Sequence, residues 1–62
     1  MRYTVEINKD STIDNLEEKE AIEQAELYAA DGDSVFITWY RDSDGQHGYL
    51  NRDGHNPTGQ RW

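Results

Sequence analysis

The middle of the chain holds the residues whose types could do chemistry. Ser43 stands within four residues of Asp42, Asp44 and His47, which are the types of a nucleophile, a base and an orienting acid. Asp44-Gly45, however, is a strong hairpin signal, because glycine accepts the positive φ that a type I′ turn requires. Groups arranged around an exposed turn have no cleft that excludes water. Asp42, Ser43, Asp44 and Gly45 also carry the oxygens and glycine of part of a calcium loop. Aligned on Gly45, though, the first ligand position is Tyr40 and the last is Asn51, neither of which supplies a carboxylate. His47 and His55, with Asp44 or Asp53 beside them, match no recognised metal spacing. The expectation is therefore no enzyme, no cofactor and no metal site.

Two other sets of residues point to binding. The 62 residues carry 13 acids against 6 bases, for a net charge of −7. All of that excess falls in residues 1–34, where ten acids face only Arg2, Lys9 and Lys19, while the remainder is balanced. Asp14, Glu17, Glu20, Glu23 and Glu26 crowd one segment in which Lys19 is the single base. The second half is neutral and holds Phe36, Trp39, Tyr40, Tyr49 and Trp62, five of the seven aromatics.

Size limits what must position these groups. One domain is the most that such a length allows, and chains of this size bury only about 60% of their unfolded surface, so a deep pocket is not expected. With no cysteine, neither disulfide nor thiolate metal clamp adds stability. The first residues contain no apolar h-region and no apolar run approaches membrane length, so the expectation is a cytoplasmic chain. Proline in Asn56-Pro57-Thr58 blocks the one glycosylation-like triplet.

Arg2 to Asn8 alternates, with Tyr3, Val5 and Ile7 on one face, and predicts a strand. Lys9 to Thr12 breaks that alternation. Ser11 or Asn15 is then expected to cap a helix over about Asn15 to Ala30, which ends with Gly32 at the C′ position. Glu18, Ala21, Ile22, Ala25, Tyr28 and Ala29 share an arc of roughly 120° on its wheel. Leu16 and Leu27 fall on the opposite side among acids. They are either a staple and a singly exposed leucine, or a narrow seam that a partner recognises.

Val35 to Tyr40 is all β-branched or aromatic and predicts a strand that turns at Asp44-Gly45 into a return strand ending near Arg52. A two-residue turn places Tyr40 opposite Tyr49, Trp39 opposite Leu50 and Thr38 opposite Asn51, and a longer loop would shift that register. The fold class expected is α+β with the order β-α-β-β. Its three-stranded sheet carries one helix on one face, residues 1–52 form the domain, and residues 53–62 form a loop or tail. The expected core is Tyr3, Val5, Ile7, Ala21, Ile22, Ala25, Tyr28, Ala29, Val35, Ile37, Trp39 and Leu50.

One helix covers one face of a sheet, which leaves Phe36, Thr38, Tyr40 and Tyr49 for solvent or a partner. The leading expectation is a small acidic protein-interaction module. Asp14, Glu17, Glu20, Glu23, Glu26 and Leu27 would occupy a basic surface, in the manner of an inhibitor or nucleic-acid mimic. A homodimer formed through the aromatic sheet face is the competing reading. Binding of single-stranded nucleic acid by the sheet aromatics is a third, held back by the scarcity of basic residues.

Overall fold

The computed structural model describes residues Met1–Trp62. Strand β1 (Arg2–Ile7) is followed by β2 (Ser11–Leu16), α1 (Glu18–Ala30), β3 (Val35–Tyr40), β4 (His47–Asn51) and β5 (Gly54–Asn56). The strands form one sheet in the order β2-β1-β3-β4-β5, with every neighbouring pair antiparallel. The expected three-stranded sheet is therefore corrected to five. One added strand precedes the helix, and the other lies within residues 53–62, the stretch expected to be loop or tail. Because β1 and β3 are antiparallel neighbours, the helix connection is not a parallel crossover.

The strand before the helix is hidden in the sequence by two local features. Asn8 and Lys9 take positive φ values of 54° and 67°, the requirement of a type I′ turn, and so fold Ser11–Leu16 back onto β1. The Asn8 side chain fixes this turn by accepting from the Ser34 amide at 2.9 Å and donating to Asp33 at 3.0 Å. The pairing then slips between Tyr3–Leu16 and Val5–Ile13, so that Asp14 and Asn15 together oppose Thr4. Asn15, at φ 61°, makes this a β-bulge. Because of the inserted residue, Ile13 and Leu16, three apart, both pack against the core, a spacing that reads as helical.

The helix starts at Glu18 rather than near Asn15. Its N-cap is Glu17, whose amide donates to the Glu20 carboxylate at 3.1 Å. Its end is as expected. Gly32 has φ 90° and donates to the Ala29 carbonyl while Asp33 donates to that of Tyr28, the two bonds of a Schellman motif.

The core lies between α1 and the β1–β3 centre of the sheet: Tyr3, Val5, Ile7, Ala21, Ala25, Val35, Ile37 and Leu50 are buried. Ile22, Tyr28, Ala29 and Trp39, also expected there, are partly buried against it, together with Ile13, Leu16 and Trp62. Ala21 and Ala25 have no exposed surface, so the helix backbone rests close on the strands. Each fully buried valine or isoleucine contributes about 1.5–3 kcal/mol.

The hairpin loop is longer than a two-residue turn. Arg41 donates to the Gln46 carbonyl at 2.8 Å, Gly45 donates back to Arg41, and the register becomes Ile37–Leu50, Thr38–Tyr49, Trp39–Gly48 and Tyr40–His47. The shift from the expected register is two residues. An even shift preserves the faces, so Thr38, Tyr40 and Tyr49 still lie together.

Beyond β5 the chain crosses the second face of the sheet as a strap. The buried Asn51 side chain donates to the Thr58 carbonyl at 2.8 Å and accepts from the Gln60 amide at 2.9 Å. The Trp62 amide then donates to the Val35 carbonyl at 2.7 Å, and the Arg52 guanidinium stacks 4.8 Å from the Trp62 ring centre. No helix is long and apolar enough to cross a membrane.

Candidate functional site

The expected acidic residues are spread over three settings. Asp14 lies in the bulge of the edge strand β2 and Glu17 caps the helix, so neither is on the helix proper. Glu20 is engaged with the Glu17 amide. Glu23, Glu26 and Leu27 are brought together with Ala30 around a shallow depression of about 430 Å³ on the outward side of α1. Leu27 is 66% exposed there, whereas Leu16 is partly buried against the core, so the two do not form one seam. The ion pairs of the chain are Arg2–Asp42, Arg41–Asp44 and a long contact from His55 to Glu18. Glu23 and Glu26 thus make no ion pair within the molecule.

The aromatic face is the second assembly. Thr38, Tyr40 and Tyr49 line an open hollow of about 490 Å³ together with His47 and Pro57. Phe36 meets the Tyr49 ring edge-on, with centroids 6.3 Å apart, but does not line the hollow. Tyr40 is 47% exposed. The strap closes the other side, where Gly59 lies against the Tyr49 ring. Sequence reasoning missed His47 and Pro57 as part of this surface. His47 was legible in principle, since it lies two residues before Tyr49 on the same strand and so on the same face. Pro57 offered no signal, because only the strap's path brings it there.

Charge at the rim of this face is already matched. Arg2 donates to both carboxylate oxygens of Asp42, at 2.6 and 2.5 Å, which holds the guanidinium in its charged form. Asp44 accepts from the Arg41 side chain at 3.0 Å and from the Gln46 amide at 3.2 Å. These bonds, that of Arg41 first, hold its carboxyl below the usual range.

A third cluster, unforeseen in the sequence, lies on the helix side of the sheet, where the first residue of α1 meets β1 and β5. The Tyr3 hydroxyl is 3.0 Å from the Glu18 carboxylate and 2.8 Å from Nε2 of His55. One arrangement satisfies all three groups: Nε2–H donates to the phenol oxygen and the phenol donates to Glu18. Burial, and after it the Glu18 carboxylate, push the Tyr3 phenol up to about 12. His55 also stands edge-on to Trp39, with ring centroids 5.8 Å apart. Sequence separations of 15 and 52 residues leave this grouping unreadable from the chain alone. It ties the helix start and the last strand to β1. No group of three or more potential metal ligands occurs in the chain.

No family model, no curated protein and no solved structure matches this chain.

Proposed function

We propose that the chain is a small acidic protein-interaction module that docks the outward face of α1 on a basic surface of another protein. The observation that carries this reading is the exposed Leu27 beside Glu23 and Glu26, carboxylates that make no ion pair within the chain. An ordinary solvated helix mixes both signs, commonly as pairs four residues apart, and offsets the repulsion. Here the field is available to a partner, where it would steer association, and Leu27 would supply apolar burial at its centre. Acids on a helix rising 1.5 Å per residue can stand in for backbone phosphates, so a nucleic-acid-binding cleft is the most specific target of this chemistry.

A single-strand platform on the sheet is less favoured. The arginines near it are committed, Arg2 to Asp42, Arg41 to Asp44 and Arg52 to the Trp62 ring, which leaves little to meet phosphates. The test of the helix reading is capture of nucleic-acid-binding proteins on the immobilised chain, followed by elution with rising salt or with duplex DNA. Release by both agents, and loss of capture in Glu23→Lys, support docking on a nucleic-acid site. Capture indifferent to salt and to duplex overturns it.

A further inference from the structure

We propose that the outward face of α1 around Leu27 is a docking site for an amphipathic, basic helix of a partner protein. This names the occupant of the acidic face and rests on the reading of that face as a docking surface.

Two depressions meet at Leu27. Beside the one lined by Glu23 and Glu26, a second of about 330 Å³ is lined by Gln24, Tyr28 and Asp31, and the two share Leu27. Helical geometry sets Glu23 and Glu26 to one side of Leu27 and the second group to the other, so the exposed leucine is a knob with a recess on each flank. A facing helix accepts such a knob in the hole formed by four of its side chains, some of which fill the recesses. An extended segment is a poorer occupant. The backbone groups in the middle of α1 are bonded within the helix, so a strand laid across Leu27 would bury amides and carbonyls without partners, whereas a helix arrives with its own satisfied.

Charge selects which helix fits. Glu23 stands one turn before Leu27 and Asp31 one turn after it, and with Glu26 they make no ion pair within the chain. Lys19, the one base of α1, is about 12 Å back along the axis, and Arg61 donates to the Gly32 carbonyl at 3.4 Å. The face therefore calls for arginine or lysine beside the partner's apolar stripe. A second copy does not provide it, because α1 packed antiparallel on itself about Leu27 sets Glu23 of one copy against Asp31 of the other.

The probe is a peptide of about 18 residues with leucine and alanine on one helical stripe and arginine beside it, titrated into isotope-labelled chain. Its control has the same composition with the leucines spread round the wheel. The stripe peptide should gain helical circular dichroism on binding, shift the amides of residues 23–31, and bind about tenfold more tightly than the control. Leu27→Ala should abolish that preference. Because Leu27 is exposed and alanine favours helix, the denaturant midpoint should hold in this variant. Equal binding of both peptides at residues 23–31 overturns the helical occupant while the acidic docking face stands, and absence of shifts there with either peptide overturns both. A preference that survives Leu27→Ala, or a dimer in sedimentation that Leu27→Ala dissolves, also sinks the proposal.

Discussion

Gly59 lies so close to the ring of Tyr49 that a methyl group added to it would stand 2.5 Å from two ring carbons. Glycine is required there by contact and not by backbone conformation. Gly59→Ala should lift the strap and destabilise the fold by about 1–3 kcal/mol, measured as a lower denaturant midpoint. Hydrogen exchange should report the same event as lost protection of the Gln60 amide, which the Asn51 side chain now holds at 2.9 Å. An unchanged midpoint would show that the strap does not contribute to stability.

Tyr3 links stability to pH at the alkaline end. Its phenol has a folded value of about 12 against an ordinary 10.0. Below about pH 10 it is neutral in both states and the contribution is complete. Between about 10 and 12 the unfolded chain ionises first, so stability should fall as pH rises through that window, by up to about 2 kcal/mol. Tyr3→Phe removes the bonds to Glu18 and His55. It should cost about 1–2 kcal/mol at neutral pH and flatten that part of the alkaline profile.

Lys9 occupies the second central position of a type I′ turn at φ 67°, a conformation suited to glycine. Lys9→Gly should raise stability by about 1 kcal/mol in thermal or chemical unfolding. A loss of stability would contradict the hairpin between β1 and β2.

Glu26 lies near the C-terminal end of a helix whose last turn has no base. Glu26→Lys should therefore stabilise the chain by a few tenths of a kcal/mol, through the dipole and relief of repulsion with Glu23. The same substitution should weaken capture of a basic partner. Opposite signs of the two effects separate docking from folding.

Features set by a simple period or a local end signal are legible in the chain. Tyr3, Val5 and Ile7 alternate, Ala21 and Ala25 return on the helical repeat, and Gly32 closes the helix. The faces of the second hairpin are legible although its register is not, because the longer loop moves β4 by two residues and not by one. The N-terminal hairpin escapes notice because Asn8-Lys9 lacks the usual glycine and because the bulge at Asn15 gives Ile13 and Leu16 a three-residue spacing. Thr38, Tyr40, His47 and Tyr49 of the aromatic surface are legible from parity. Its Pro57 edge, and the grouping of Tyr3 with Glu18 and His55, depend on contacts across the whole sheet, which no local pattern encodes.

The strand order also separates fast events from slow ones. β1–β2, β3–β4 and β4–β5 join neighbours along the chain, whereas β1–β3 alone closes over the intervening strand and helix. That pairing runs from Arg2–Tyr40 to Ile7–Val35 beneath α1, so two locally formed hairpin units are welded along one seam. Loop closure entropy falls on this step, and it is expected to limit the folding rate. Val5→Ala and Ile37→Ala, on either side of the seam, should chiefly slow folding in chevron measurements. Substitution of Ser43 in the exposed loop should leave the folding rate nearly unchanged.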